Sequence, residues 1–162
     1  MSNSVYGRIS RASGAFSPSP IPYPGPYCVS VPIMPMQVCN GAMMMCTFGM
    51  APSNLVVLPV HRTMTAQQPD ANIMDHVPMV NIQPFGMCMS PANPEVAAAT
   101  AAALGVLTPM PCIPCTPAPW VPGAPTVMLD NAPTLDNVSQ LMCTWGGVIT
   151  FILPGEFTVM VP

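Results

Sequence analysis

The sequence has very little charge. Charged residues make up 6% of its 162 residues, and lysine is absent; an ordinary soluble domain has about 25%. Three basic and six acidic residues give a formal net charge of -3. Such a chain has no basic field that could hold a phosphate backbone. We therefore predict that the protein does not bind nucleic acid.

The sequence also lacks a long apolar run. The longest, residues 96–107, is interrupted by Thr100 and Gly105, and it is too short to span a bilayer. Residues 1–16 show neither a secretory signal nor a lipidation motif. We therefore expect a cytoplasmic protein whose thiols stay reduced. Seven cysteines then indicate metal ligation or burial rather than a disulfide framework.

No catalytic motif is present. The sequence contains no G-x-S-x-G, no HExxH, no paired acidic motif and no phosphate-binding loop. Most of the carboxylates stand in turn contexts such as Leu129-Asp130-Asn131. We therefore predict that the protein is not an enzyme.

The composition favours a protein that works docked on a partner. Hydrophobic residues make up 51% of the chain, and apolar surface without a screen of charges tends to associate. The alternative is a compact monomer whose surface consists of uncharged polar residues and proline.

The chain divides into an N-terminal arm, residues 1–35, and a mainly β domain, residues 36–162. The arm contains SPSPIPYPGPY, whose prolines favour a polyproline-like or irregular conformation. β-branched runs and turn residues in the domain predict short strands. We predict a hairpin near 37–60, turns over 61–72, and extended segments within 73–82, 126–129, 148–153 and 157–161.

One short helix is predicted over residues 94–104. Asn93 can cap it, Pro94 suits its first turn, Glu95 favours the positive end of its dipole, and Gly105 ends it. Its body consists almost entirely of small residues, which allow close packing on a sheet.

Two segments of the sequence resemble each other. Cys46-Thr47-Phe48-Gly49 followed by LVVLP is similar to Cys143-Thr144-Trp145-Gly146 followed by ITFILP. A weaker repeat, with an aromatic residue and glycine beside a cysteine, is found at 85–88. Repeated β units around an axis form barrels, cones or prisms, in which these cysteines would converge.

Four cysteines that are far apart in the sequence are candidate metal ligands: Cys46, Cys88, Cys112 and Cys143. A tetrahedral thiolate site would organise short strands into one fold. Buried free cysteines, which behave as small hydrophobic residues, are an equally good interpretation of the residues alone.

Other soft or polar ligands give weaker signals. Cys112 and Cys115 form a C-x-x-C, but the surrounding prolines do not suit a thioredoxin-like redox motif. Sixteen methionines could handle Cu(I), although methionine more often fills irregular cores and interfaces. His61 and His76 could each bind zinc, but a structural or surface role is commoner.

Several segments together resemble the PAAR-like spike-tip proteins of type VI secretion and related contractile injection systems, a family long labelled as a domain of unknown function. The resemblance covers about residues 37–155. It depends on the order of CNGAMMMCTFGMAPSNLVV, the segment from DHVPMVNI to PMPCIPC, PWVPGAPTVML and LMCTWGGVITF.

The resemblance implies a small PAAR-like β-cone or prism of hairpins that caps and sharpens a trimeric VgrG-type spike. It also implies one structural metal ion, zinc or alternatively iron, held by Cys46, Cys88, Cys112 and Cys143. PAAR proteins proper use three histidines and one cysteine instead, and Cys39 or Cys115 could replace one of the four here.

The partners implied are the trimeric spike, effector cargo and, transiently, the target membrane. The protein would be cytoplasmic while assembled on the apparatus and would leave the cell on firing. The competing hypothesis is a free-standing soft-metal or thiol-redox protein that uses the methionine- and cysteine-rich segments.

Overall fold

A computed structural model describes residues 35–162, in which proline and glycine keep every strand short. Proline has no N–H to donate to a neighbouring strand, and it fixes φ. The elements are β1 (Met43–Cys46), β2 (Ser53–Asn54), β3 (Met64–Thr65), β4 (Gln68–Pro69), β5 (Met87–Cys88), α1 (Pro94–Ala102), β6 (Met110–Pro111), β7 (Ala124–Leu129), β8 (Ala132–Thr134), β9 (Gln140–Met142) and β10 (Val148–Leu153).

The largest sheet has four antiparallel strands in the order β2-β1-β10-β9. Its centre pairs β1 with β10, with Met45 opposite Thr150 and Cys46 opposite Ile149. Three further two-stranded sheets consist of β3-β4, β5-β6 and β7-β8. None of the sheets within residues 35–162 closes into a barrel.

The predicted fold class is confirmed, since the described residues are mainly β with one short helix. Strands β7 and β10 contain the predicted segments 126–129 and 148–153. The helix begins at Pro94 as predicted, and the Asn93 side chain accepts a hydrogen bond from the Glu95 amide at 3.0 Å. It ends at Ala102 rather than near Leu104, because Leu104 has a left-handed φ of 56°.

Two of the predicted extended segments were wrong. Residues 73–82 form turns with isolated bridges at Pro78 and Ile82, and residues 157–161 form one bridge at Met160. β-branched residues in these segments bury side chains without joining a sheet, because turns and prolines interrupt the backbone pairing.

The predicted hairpin near 37–60 is shorter than expected. It consists of β1 and β2, with Met43 opposite Asn54 and Met44 opposite Ser53. Residues 61–72, expected to be turns alone, contain the β3-β4 hairpin instead. Ala66 and Gln67 form its two-residue turn with positive φ, a geometry that favours Asn-Gly, and the sequence therefore gave no signal for it.

The hydrophobic core packs between these small sheets. Its largest fully buried side chains include Trp120, Phe85, Met44, Leu55 and Ile82. Trp120 stacks on Phe151 of β10 with ring centroids 4.6 Å apart and an interplanar angle of 21°. The indole of a residue that follows a proline-rich segment therefore packs onto the main sheet.

The predicted arm, apart from its last residue, lies outside the described residues. Within residues 35–162, no helix has the length and apolar character needed to cross a membrane.

Candidate metal centre

The four candidate cysteines lie at strand ends. Cys46 ends β1 and Cys88 ends β5, while Cys112 directly follows β6 and Cys143 directly follows β9. All four are at least nine-tenths buried. Burial at a strand end allows the backbone to turn immediately after each thiol, so that the four turns can approach one another.

These turns surround one cavity, and all four predicted cysteines line it. The centre of a water-sized sphere can occupy about 10 Å³ of this cavity, which is room for about one water molecule or ion. The other lining residues are Phe48, Gly49, Phe85, Pro114, Trp145, Gly147 and Ile149. Among the described residues that line the cavity, only the cysteines have side chains that could bind a metal.

The two similar cysteine segments each contain the same backbone hydrogen bond. The Gly49 amide donates to the Cys46 carbonyl at 3.0 Å, and the Gly146 amide donates to the Cys143 carbonyl at 2.9 Å. The turns are not identical, because Gly146 has a positive φ of 78° and Gly49 does not. The strands that follow differ, since 148–153 is a full strand whereas 55–58 is not.

Backbone hydrogen bonds join the four cysteine turns to one another. The Met89 amide donates to the Phe48 carbonyl at 2.9 Å, which connects the turns that hold Cys46 and Cys88. The Cys112 amide donates to the Gly86 carbonyl at 2.8 Å. The Thr144 amide donates to the Cys115 carbonyl at 2.8 Å. The cavity wall is therefore a continuous hydrogen-bonded backbone assembled from four distant segments.

Two glycines allow this close approach. A Cβ at Gly147 would lie 2.7 Å from the Cys46 sulfur, and one at Gly49 would lie 2.5 Å from the Phe85 Cβ. Real Cβ atoms do not approach other heavy atoms so closely. Glycine at 147 is therefore required if Cys46 and Cys143 are to face the same cavity.

The cavity raises the pKa of two of its thiols. Burial raises the pKa of Cys46 most, and Cys143 and Cys88 raise it further, although backbone hydrogen bonds from Phe48 and Gly49 oppose these effects. Burial also raises the pKa of Cys112, with further increases from Cys88, Cys46 and Cys143, against a backbone hydrogen bond from Phe85. Without an ion these thiols are protonated, because crowded thiolates would repel one another in an apolar wall.

The donor set fits a soft or borderline metal, because four thiols and no carboxylate line the cavity. The side chains within residues 35–162, as they stand, place no three Cys, His, Asp or Glu groups closely enough to hold an ion. The backbone therefore brings the four cysteines to one cavity. Their side chains would still have to turn towards a common point to form a tetrahedral site.

The alternative ligands lie elsewhere. Cys39 is buried against Pro154 and Gly155, with its Sγ 3.9 Å from the Pro154 carbonyl oxygen. Cys115 lies outside the cavity lining, and its sulfur accepts a hydrogen bond from Thr144 Oγ1 at 3.4 Å. Neither histidine lines the cavity, nor does any methionine within residues 35–162. The six described cysteines are all free thiols.

A family model described as Domain of unknown function (DUF4280) matches residues 38–156. The chain belongs to the DUF4280 family. The matched range contains all four cysteines of the cavity and covers most of the segment on which the sequence resemblance depended. No curated protein and no solved structure matches the chain.

Sequence reasoning missed the aromatic wall of the DUF4280 cavity. Phe48, Phe85 and Trp145 line it together with the thiols. The available signal was the aromatic residue and glycine that accompany three of the cysteines, a pattern that indicated a repeat but not a shared wall.

Proposed function

We propose that this DUF4280 protein is the non-enzymatic, metal-stabilised tip of a contractile injection system, a PAAR-like cone that caps a trimeric VgrG-type spike. The convergence of four distant cysteines on one cavity carries this proposal. Such convergence suits a small body that must be stiffened at a single point by an ion.

The proposed ion is zinc, with iron as the alternative, and Cys46, Cys88, Cys112 and Cys143 would hold it. When bound, the metal would replace the thiol protons and join the ends of β1, β5, β6 and β9. The aromatic residues of the wall would exclude water from the thiolates. The protein's own contribution is to bring the four turns together and to keep the cavity small and apolar.

The surface of the described residues supports the proposal that the protein binds other molecules. Four of the six carboxylates, Asp70, Asp75, Asp136 and Glu156, are buried. Large apolar side chains are exposed, among them Leu104, Val106, Val121, Met64 and Phe157. A nearly uncharged, apolar surface favours docking on a spike, with effector cargo and the target membrane as further partners. Assembly would take place in the cytoplasm, and firing would carry the tip out of the cell.

The metal half of the proposal is tested by elemental analysis of the full chain purified from a reducing cytoplasm. We expect about one tightly bound zinc or iron ion per chain, the capacity of one four-thiolate site. Cys88→Ser and Cys143→Ser should each lose the ion. The matched controls Cys39→Ser and Cys115→Ser should keep it, because those sulfurs do not line the cavity.

The spike half is tested separately by co-purification with a trimeric VgrG-type protein. A stable complex that requires bound metal would support the whole proposal. A metal-loaded chain without affinity for the spike would leave a metalloprotein of other function. Labile copper without a partner would instead favour the soft-metal carrier, although no methionine of the described part of the chain lines the cavity.

A further inference from the structure

His61 lies between two carboxylates that belong to distant parts of the chain. Its Nε2 lies 3.3 Å from Asp75 Oδ2, and its Nδ1 lies 3.4 Å from Asp130 Oδ2. The side chains of His61 and Asp75 are 9% and 10% exposed, whereas that of Asp130 is 62% exposed. The imidazole therefore joins a buried acid to an acid at the surface.

Each carboxylate belongs to a different turn. Asp75 ends a turn over residues 72–75, where its side chain accepts a hydrogen bond from the Asn72 amide at 3.0 Å. Its backbone carbonyl accepts from Trp120 Nε1 at 3.0 Å, which links this turn to the core. Asp130, with a φ of 52°, lies in the two-residue turn between β7 and β8.

The arrangement needs two protons among the three side chains. A neutral imidazole carries one N–H, and an imidazolium carries two. A neutral ring can therefore satisfy only one of the two contacts. If Nδ1 donates to Asp130, the lone pair of Nε2 faces Asp75, and this nitrogen is buried with no aligned hydrogen-bond partner in the described part of the chain. If Nε2 donates to Asp75 instead, the lone pair of Nδ1 faces Asp130, and the contact that holds the β7-β8 turn is lost.

The second proton can reside on either partner of the buried contact. Burial raises the pKa of Asp75, while the Asn72 amide, His61 and His76 lower it. Protonated Asp75 with a neutral ring, or charged Asp75 with an imidazolium, gives the same total charge. In both forms a proton lies between Nε2 and the carboxyl group, and no lone pairs face each other.

We propose that His61 is a proton-dependent clasp that holds the β7-β8 turn against the turn over residues 72–75. The clasp is closed while the second proton is present and opens as rising pH removes it. The titratable groups that face it are Asp75, Asp130 and, through Asp75, His76. This inference is independent of the cysteine cavity and of the proposed spike partner.

Amide hydrogen exchange of residues 124–135 tests the clasp in the full chain as purified. After correction for the intrinsic exchange rate, we expect the opening of this hairpin to increase about threefold or more between about pH 6 and pH 8, the size of effect given by a partly exposed charge pair. In His61→Gln the hairpin should be equally open at both values.

Two further variants separate a proton effect from simple packing. His61→Lys places a permanent cation between the carboxylates and should keep the hairpin protected at the higher pH. Asp130→Asn, at an exposed position that should not disturb folding, should reduce the increase seen in the wild type.

His76→Gln is the matched control, because His76 is the other histidine of the chain and does not touch Asp130. The pH-dependent opening should persist in it. The proposal is overturned if the opening is lost in His76→Gln but kept in His61→Gln. It is equally overturned if wild type and His61→Gln show the same dependence on pH.

Discussion

Single side chains at the cavity and in the core determine what this small fold can hold. Cys46 and Gly147 illustrate the relation, because the sulfur of the first occupies the space that a Cβ on the second would need. Adding one methyl group at residue 147 would therefore disturb the packing and also displace the sulfur of Cys46, a candidate metal ligand.

Gly147→Ala tests this relation directly. The new Cβ would meet the Cys46 sulfur at 2.7 Å, so we expect a loss of about 1–3 kcal/mol in the free energy of unfolding, typical of overpacking. Metal content should fall as well, because Cys46 must move. Urea denaturation and elemental analysis measure the two effects.

Gly41→Ala is the control for Gly147→Ala. Gly41 has a φ of 86° and no atom within 4 Å of an added Cβ, so alanine there should cost about 1–2 kcal/mol of backbone strain. It should leave the metal in place. Equal metal loss in both variants would contradict the role given to Gly147.

Asp70 is a buried acid whose charge should destabilise the fold. It is 1% exposed, and neither carboxylate oxygen has a well-formed hydrogen bond within residues 35–162. Burial raises the pKa of Asp70 most. Nearby donor groups of Thr65 and Gln37, which are not aligned as hydrogen bonds, partly oppose this, and the charge of Glu156 raises the pKa further.

The pH dependence of Asp70→Asn follows from that direction. Because the folded pKa lies above the unfolded pKa, the contribution of protonated Asp70 is fully present below the unfolded pKa, about 3.9. It is lost as the pH rises through the folded pKa. We therefore expect the stability of wild type relative to Asp70→Asn to fall as pH rises, measured by urea denaturation from mildly acidic to neutral pH. A constant difference would refute this reasoning.

Among the elements, the helix is held to the core by a single buried side chain and is capped at its first turn by Asn93. Val96 is its one buried residue, and most of its alanines are exposed. The apolar pattern therefore contributes little to holding it on the sheets. Local capping by Asn93 must supply a larger share of its stability than in an amphipathic helix.

Asn93→Ala should destabilise the helix by about 1 kcal/mol, the usual cost of losing an N-cap oxygen. Faster hydrogen exchange of the helical amides would reveal it even if global unfolding changed little. Asn93→Asp restores an acceptor and should restore protection. Equal exchange in the alanine and aspartate variants would rule out a capping role.

For the molecule as a whole, the sheets are small and the cysteine turns lie between them. The four-stranded sheet supplies two thiols at the ends of β1 and β9, and the β5-β6 sheet supplies the other two. An ion at the cavity would therefore join two sheets that otherwise meet through core side chains and a few backbone hydrogen bonds.

If the proposed ion is bound, its removal under reducing conditions should therefore lower the melting temperature of the domain. A ligand present at a hundred times its Kd stabilises the folded state by about 2.7 kcal/mol, and a tight ion should exceed that. Thermal unfolding with and without a chelator measures the change.

Cys143→Ser should unfold at the same temperature as the chelated wild type. A chelator should not lower the stability of this variant further, because the substitution and the chelator remove the same bound ion. Identical melting curves for chelated and untreated wild type would contradict a structural ion.

How much of this could be predicted from the sequence depended on whether the signal was local. The cap at Asn93, the helix start at Pro94 and the strand over 148–153 follow from neighbouring residues, and they were predicted correctly. The low charge and the four candidate cysteines were also readable without coordinates, because composition and residue type carry them.

What required the folded chain were relations between residues distant in sequence. The β3-β4 turn at Ala66 and Gln67, the lack of pairing at 73–82, and the contact of His61 with Asp75 and Asp130 have no local signature. The convergence of the cysteines on one cavity is of the same kind, since spacing alone was equally compatible with scattered buried thiols. Backbone hydrogen bonds and close glycine contacts fixed those distances, and a linear pattern does not encode them.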